Sequence, residues 1–515
     1  MSESLNYLYG LGGGTLLFAL YSYWSKPSRT LPLPPGPRKL PIVGNLFDMP
    51  PTFEWLTYME WAKKYNSDVL HLNVAGTSII ILSSAEAANE LLEKRAGLYS
   101  DRARLPMVNE LMGWDFALAF MKYGDHWRAH RKLFHEVFNS VAAQSFRTKE
   151  RAVCHELLYD MLQSGSGEDV LGHLRHMAAK IVMSVAYGID VLPANDPYVE
   201  LAEHAVDGLV TAVVPGRFLV DSIPLLKYVP AWFPGAGFQR RASEWRKLSR
   251  GMLEKPFAEA RRKIASGTAS HSFTMDGLRM AEGAENKVYQ EQIVQATAGT
   301  MYTAGTGTTV SALGTFILAL LSNPEAQKKA QAEIDSVIGP DRLPDFSDEP
   351  NLPYVVALMK ESLRWRNVTP IAIPHFLPVD DEYRGYHLPG GSIVIPNAWA
   401  ILHDEVMYPE PYSFKPERYL LKGKLNPAVT DPDMVFGFGR RICPGRHMAR
   451  ERVFITLVSI LATFNITKAV GDDGEVIEPS YDYFAGLVVM PLPFKCSIKP
   501  RSEKAVELIK TALKK

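Results

Sequence analysis

The pattern of apolar and polar positions divides the chain into distinct regions. Residues 5–24 carry no charge, a run long enough to cross a hydrocarbon core of about 30 Å at about 1.5 Å per residue. Residues 53–65 have a helical pattern, and β-rich segments at 69–82 flank an Ala-Gly turn, which predicts a hairpin. Residues 124–337 read as long helices, and 383–396 as short strands. The sequence therefore predicts a mainly α chain with a minor β region.

The N-terminal apolar run is predicted to be a retained transmembrane helix. Glu3 precedes it and basic residues follow it, whereas a secretory signal has its basic residues first. This orientation leaves the bulk of the chain in the cytosol. A cleaved signal peptide and an interfacial helix stay open as alternatives. The proline-rich stretch at 28–45 is expected to act as a stiff spacer.

Composition excludes several classes of protein. The 515 residues contain 56 Lys plus Arg and 56 Asp plus Glu, so no global field favours nucleic acid or another polyanion. The three cysteines are far apart and without CxxC spacing, which argues against a disulfide framework or a zinc site. The apolar fraction of 47% allows a large core with a sizeable cavity.

The strongest chemical signal is the segment 436–445, in which Cys443 stands among glycines after an arginine and before a helical run. Glycines allow sharp turns and close approach of the backbone to a flat ligand. Backbone N–H groups and a helix N-terminus stabilise a thiolate. A thiolate so held can bind haem iron, whereas a lone cysteine in other surroundings is usually an inert core residue.

This segment resembles the haem-binding loop FxxGxRxCxG of the cytochrome P-450 family. The five fixed positions are matched by Phe436, Gly439, Arg441, Cys443 and Gly445. The resemblance implies haem b as cofactor, with Cys443 as the axial ligand of the iron. It also implies the cytochrome P-450 fold for residues 46–500, preceded by an anchor at 1–27 and a hinge at 28–45, and followed by a tail at 501–515.

Other family motifs occur in the expected order. Glu361 and Arg364 match ExxR, and Arg418 matches the third member of the Glu-Arg-Arg network that locks the core behind the haem. Further residues resemble the propionate partners: Trp127 and Arg131 of the WxxxR pair, Arg441 and His375. A lone histidine at such a position can also be structural.

The distal segment departs from the family. Residues 304–309, Ala-Gly-Thr-Gly-Thr-Thr, resemble the oxygen-activation motif (A/G)Gx(D/E)T(T/S). Ala304 and Gly305 leave room for O2, and Thr308 supplies the catalytic hydroxyl. Gly307 stands where an acid is expected, so protons must come by solvent, Thr306 or a substrate group.

The resemblance implies a monooxygenase that takes O2 and NADPH-derived electrons. Too few residues follow Gly445 for a flavin domain, so NADPH–cytochrome P-450 reductase is the expected partner, with cytochrome b5 as an open second donor. A basic patch for docking is predicted from the arginines of 440–452 with Arg128 and Lys132. A peroxygenase or isomerase without a reductase, and a non-catalytic haem protein, stay open as alternatives.

The expected substrate is an apolar, aromatic or terpenoid small molecule. The overall sequence resembles fungal microsomal members of the family, including the group similar to O-methylsterigmatocystin oxidoreductase. This resemblance implies a location on the endoplasmic reticulum membrane and a role in secondary metabolism or xenobiotic oxidation. The segment Leu219–Phe238 is predicted either to dip into the membrane interface or to be a buried loop. The predicted pocket walls are Met107, Val108, Leu111, Met112, Met301, Ala304, Ile371, Ile373, Tyr483 and Phe484.

Overall fold

The computed structural model describes residues 31–164, 169–213 and 217–514. The predicted membrane anchor at 1–27 lies outside the described residues. The helices are α1 (Glu54–Lys64), α2 (Ala85–Ala88), α3 (Ala96–Tyr99), α4 (Asp125–Phe138), α5 (Arg147–Ser164), α6 (Val170–Tyr187), α7 (Pro197–Ala212), α8 (Leu219–Ser222), α9 (Gly237–Ala265), α10 (Phe273–Glu282), α11 (Lys287–Gly305), α12 (Gly307–Ser322), α13 (Pro324–Val337), α14 (Pro353–Trp365), α15 (Ala398–Leu402), α16 (Arg446–Thr463) and α17 (Glu503–Ala512).

The strands are short and come mostly from two stretches of the chain. They are β1 (Val69–Val74), β2 (Thr77–Leu82), β3 (His375–Leu377), β4 (Asp381–Tyr383), β5 (Tyr386–Leu388), β6 (Ser392–Pro396), β7 (Leu420–Leu421), β8 (Lys424–Leu425), β9 (Phe464–Val470), β10 (Val476–Ile477), β11 (Tyr483–Phe484), β12 (Met490–Pro491) and β13 (Cys496–Pro500). The prediction of a mainly α chain with a minor β region is confirmed.

The largest sheet has the order β1-β2-β6-β3. The predicted hairpin is confirmed: β1 and β2 pair antiparallel from Val69 opposite Leu82 to Val74 opposite Thr77. Ala75 and Gly76 turn the chain with φ of 48° and 92°, as a tight hairpin requires. The strand β6 then pairs parallel to β2 and antiparallel to β3. This sheet holds β3, which begins at His375, against the helical part of the molecule.

The helical core forms around α12, which packs against α6, α14 and α16. From Thr309 to Leu321 every residue of α12 is buried, because the helix is apolar on all sides. By length and composition, α11 and α12 together (Lys287–Ser322) could cross a membrane, but 72% of the apolar window is buried inside the protein. Among the described residues, this apolar stretch is therefore a core element.

The long distal helix predicted from Val288 to Leu321 is present as α11 and α12, which are separated by the single residue Thr306. The backbone angles of Thr306 (φ −84°, ψ −66°) stay in the right-handed helical region, so this point, called the break below, is a local distortion. Glycines stand on both sides of this residue, and glycine weakens a helix by about 1 kcal/mol relative to alanine. The break lies between Gly305 and Thr308, both of which line the cavity described below.

The segment Leu219–Phe238 is not a buried loop, so that alternative is wrong. It forms the single turn α8 and a second short turn at Pro224–Tyr228. Leu225 is 75% exposed and Trp232 is 79% exposed. Large apolar side chains of this segment are therefore exposed.

Candidate active site

The loop before α16 brings Cys443 to the end of a cavity. The Cys443 N–H donates to the carbonyl oxygen of Phe436 at 2.7 Å and closes the loop. Gly439 has a φ of 56°, and a Cβ there would lie 2.0 Å from the carbonyl oxygen of Leu92. Its N–H donates to the Glu93 carboxylate at 2.5 Å. Gly439 is therefore required by close contact with the 89–94 helical turn, which anchors the loop.

The Cys443 thiol is held in an environment with opposing effects on its charge. Burial raises its pKa, whereas the Gly445 N–H and the positive charges of Arg131 and Arg446 favour the thiolate and lower the pKa. Arg131 also donates to the carbonyl oxygen of Ile442 at 2.6 Å, which fixes α4 against the loop. The thiol therefore lies where a metal could complete the stabilisation of its anion.

The cavity at this thiol has a volume of about 330 Å³. Its wall is largely apolar, from α4, α6, α11, α12, the 368–375 segment and α16. It is lined by Arg102, Leu118, Ala119, Trp127, Arg131, Phe134, Phe138, Val182, Val185, Thr300, Met301, Ala304, Gly305, Thr308, Thr309, Ala312, Leu363, Val368, Thr369, Ala372, Ile373, His375, Val435, Phe436, Gly437, Phe438, Arg441, Cys443, Pro444, Gly445, Met448, Ala449, Arg452 and Val453.

Three arginines near one end of this wall form no ion pair with an acid of the described residues. Arg441 donates to the carbonyl oxygens of Ser100, Leu118 and Met121 and lies over the Trp127 ring at 4.6 Å. Burial lowers the pKa of Arg441 to about 10. It also lowers the pKa of Arg131.

Arg102 is the third of these arginines, and sequence reasoning missed it. Its side chain donates to the carbonyl oxygens of Ala119 and Pro374 at 2.9 and 2.8 Å. Burial lowers its pKa well below the usual value, and the charge of Arg441 lowers it further. No motif in the sequence marks this position.

His375 lies at the same end of the cavity. A carbonyl oxygen only accepts, so the His375 Nδ1–H donates to the Tyr99 carbonyl at 2.7 Å and leaves Nε2 as the other ring nitrogen. Burial lowers its pKa well below the usual value, and the Arg102 charge adds to this. A carboxylate placed at Nε2 would oppose this shift, because a negative charge favours the imidazolium, whose Nε2–H can donate to it.

These residues fit haem. Haem carries two carboxylates and an iron. The cavity offers one buried and two half-buried guanidinium groups that form no ion pair with an acid of the described residues, together with a thiol for the metal. Charges removed from water are usually paired, so Arg102, Arg131 and Arg441 indicate an anionic partner. The planar group would be held by Trp127, Arg131, His375 and Arg441 and ligated by Cys443.

Glu361 is the centre of a fully buried network behind the cavity. Arg364 forms two hydrogen bonds to its carboxylate, both of 2.8 Å, and Arg418 forms a third at 3.0 Å. The backbone N–H of Lys415 adds a fourth at 2.8 Å. The structure thus brings together the three residues of the predicted network. The bidentate pair of Arg364 and Glu361 lies within α14, and the bonds from Arg418 and the Lys415 N–H fix this helix to the 415–419 turn.

The distal segment places Thr308 and Ala304 in the cavity wall, where the Thr308 hydroxyl donates to the Ala304 carbonyl at 2.7 Å. A Cβ on Gly305 would lie 2.7 Å from Val182 Cγ2, whereas a Cβ on Gly307 would meet nothing closer than 3.9 Å. Gly305 is therefore required by packing, and Gly307 is not. The Thr306 hydroxyl is buried and has no hydrogen-bond partner among the described residues.

Two sequence predictions are partly wrong: the membership of the basic docking patch and the residues of the pocket wall. Arg441 is turned inward, and Arg452 is only 5% exposed and reaches the cavity, so neither belongs to a docking patch. Arg440 is exposed. Of the predicted pocket walls, Met301, Ala304 and Ile373 line this cavity, and the remaining seven do not.

Known proteins agree with the resemblance. The family model described as cytochrome P-450 matches residues 34–498. Cytochrome P-450 monooxygenase 98 of Postia placenta is 46% identical over 96% of both chains. Cytochrome P-450 monooxygenase ple1 of Rhodocybe pseudopiperita is 45% identical over 95% of this chain and 94% of its own. Tryptamine 4-monooxygenase of Psilocybe cyanescens is 39% identical over 93% of this chain and 94% of its own.

Proposed function

The chain belongs to the cytochrome P-450 family of haem monooxygenases, and we propose that it inserts one oxygen atom of O2 into an apolar small molecule with electrons from NADPH delivered by a reductase. The observation that carries this proposal is the thiol of Cys443 at one end of an apolar cavity whose wall also holds unpaired arginines and Thr308. Haem, when bound through this thiolate, supplies the oxidant.

The protein's own residues have distinct tasks in this reaction. Arg131, Arg441 and His375 orient the cofactor through its carboxylates. The largely apolar wall excludes water and holds the substrate. The Thr308 hydroxyl, beside the open space at Gly307, is the group that holds a proton or a water molecule in the pocket.

The substrate class follows from the lining of the cavity. The distal wall consists mainly of small and aliphatic side chains such as Ala304, Ala312, Val368 and Ile373. Such a wall favours a compact apolar molecule, including an aromatic or terpenoid one, since few polar groups are there to select another kind. A relative of this chain is named for its action on the aromatic amine tryptamine. Secondary metabolism or xenobiotic oxidation is the setting that this chemistry suits.

We place the protein on the endoplasmic reticulum membrane, with the catalytic domain in the cytosol. The uncharged run at residues 5–24 is long enough to span the membrane. The exposed apolar side chains of Leu219–Phe238 would add an interfacial contact. Deletion of residues 1–27 should release most of the protein from membranes with its haem site intact. A truncated protein that stays wholly bound would show that the exposed segment is itself a strong anchor.

The ligand assignment is tested with Cys443→Ala. The reduced wild-type protein with CO should show the red-shifted Soret band of a thiolate-ligated haem, and the variant should lack it. Cys496→Ala is a matched control, since this second cysteine is buried away from the cavity. An unchanged thiolate spectrum in Cys443→Ala would overturn the assignment.

The source of electrons is tested by a product screen with apolar aromatic and terpenoid compounds. Product should require NADPH and the reductase together. Product that forms with hydrogen peroxide alone, and does not increase with NADPH and reductase, would favour the peroxygenase alternative. The basic side chains that remain for docking are Arg128, Lys132, Arg440, Arg446 and Arg450, of which Arg450 pairs with Asp433.

A further inference from the structure

A buried ion pair joins four helices at the break at Thr306. Arg452 on α16 donates from Nε to Oε1 of Glu150 on α5 at 3.2 Å. Its Nη1 reaches the carbonyl oxygen of Gly305 and the hydroxyl of Thr309, both at 3.4 Å. The pair therefore ties α5 and α16 to the last turn of α11 and the first turn of α12.

Burial of Glu150 is energetically unfavourable, because it removes a carboxylate from water. It is 0% exposed, and its Oε2 has no hydrogen-bond partner among the described residues. Burial raises its pKa to about 7, while Arg452 opposes this. The other charged groups that face it are Glu451 and Arg147, which pair with each other at 2.6 Å nearer the surface, and the thiol of Cys154 is also close.

The location of the pair indicates a role beyond stability. Replacing a buried ion pair by apolar residues of similar volume is often neutral or stabilising, so stability alone does not explain it. Arg452, Gly305 and Thr309 line the same cavity as Thr308 and Cys443. In the motif that this segment resembles, an acid stands at the position of Gly307. Glu150 is a carboxylate on another helix that is connected to the same turn through Arg452.

We propose that Glu150 and Arg452 are positioning residues of the oxygen-activating segment, which hold the Gly305 carbonyl and the Thr309 hydroxyl at the break and supply there the charged groups that Gly307 lacks. Arg452 keeps its proton, because a guanidinium is not deprotonated in proteins. The pair therefore orients hydroxyl groups and water at the cavity wall. This inference rests on the monooxygenase function proposed above and deepens it.

The first test compares Arg452→Met, which keeps an unbranched apolar stem but removes the charge, with Arg452→Lys, which keeps the charge. Product formed per NADPH consumed should fall about 10-fold or more in the methionine variant, the size of effect that outer partners have at metal sites. The lysine variant should recover part of it. Arg147→Gln is the matched control, because it breaks the neighbouring pair between the same two helices without touching the break, and its ratio should equal that of the wild type.

A second measurement does not depend on turnover. Infrared difference spectra of the haem-loaded protein should contain the carbonyl stretch of a protonated carboxylic acid that titrates near pH 7, and Glu150→Gln should remove it. The same variant should flatten the pH dependence of product per NADPH around neutrality. All variants are first checked for haem content and for the thiolate Soret band.

The outcomes separate the possibilities. An unchanged ratio in folded, haem-loaded Arg452→Met, or an equal loss in Arg147→Gln, would overturn the positioning role. If Arg452→Met does not fold, Arg452→Lys, which keeps the charge, and Glu150→Gln, which keeps the shape, decide. If the wild type gives no product with reductase, the function has failed, and the infrared band still decides whether Glu150 is ionised there. A carboxylic acid band of Glu150 that persists well above pH 7 would show that the pair is not charged and would overturn the proposal.

Discussion

Gly305→Ala should destabilise the protein because of a single contact between two helices. The new Cβ would lie 2.7 Å from Val182 Cγ2, about 0.7 Å short of ordinary contact. Overpacking of a buried site costs about 1–3 kcal/mol, and alanine returns at most about 1 kcal/mol through helix propensity. We expect a net loss of roughly 1–2 kcal/mol, whereas Gly307→Ala, which has open space, should be neutral or slightly stabilising.

A double-mutant cycle isolates the contact. Val182→Ala removes both Cγ atoms and by itself should cost about 2 kcal/mol. In that background Gly305→Ala should cost nothing or be stabilising, which gives a favourable coupling of about 1–2 kcal/mol. The measurement is the midpoint of denaturant or thermal unfolding of the haem-loaded proteins, followed at the Soret band. If Gly305→Ala is as stable as the wild type, or its cost is the same in both backgrounds, then the steric reason given for this glycine is wrong.

Three further predictions concern charged groups. Glu361→Gln should cost about 3–5 kcal/mol of stability and lower haem content, since it leaves two buried arginines uncompensated, whereas Glu325→Gln, at an exposed pair, should leave the unfolding midpoint nearly unchanged. Gly307→Asp should raise product per NADPH and Thr308→Ala should lower it, as measured with peroxide formation; unchanged ratios would contradict this. Burial raises the pKa of Asp221 to about 6, so the folded state binds this proton more tightly than the unfolded state does. The contribution of this group to stability is therefore present at low pH and lost as the pH rises through 6. Asp221→Asn should remove this pH dependence of the unfolding midpoint between about pH 4 and 6.

The fold class and the elements near the site follow from local sequence signals. The hairpin of β1 and β2 has a β-rich pattern and an Ala-Gly turn, and α16 follows a glycine-rich loop. Residues as distant as Trp127, Arg131, His375 and Cys443 meet in one cavity, but only resemblance to a family could assign them to it. Periodicity predicts that a helix exists, not which cavity it lines.

The errors have physical causes that the sequence partly shows. Arg452 follows several other arginines, which predicts a surface charge. Val453, Phe454 and Ile455 come directly after it, however, and they are buried. An arginine that enters such an apolar run predicts an inward side chain with a partner. The break at Thr306 was missed although glycines flank it on both sides. Arg102 has no such local signal, since only tertiary contacts bring it to the cavity.

The two glycines of the distal segment are present for different reasons, and this bears on the missing acid. Gly305 is fixed by its contact with Val182, but space and backbone angles both permit a side chain at Gly307. Packing therefore does not explain the absence of an acid there. Arg452 connects this turn to Glu150, so a charged pair from two other helices already reaches the segment. A local motif search cannot detect this arrangement, because the carboxylate lies on a different helix.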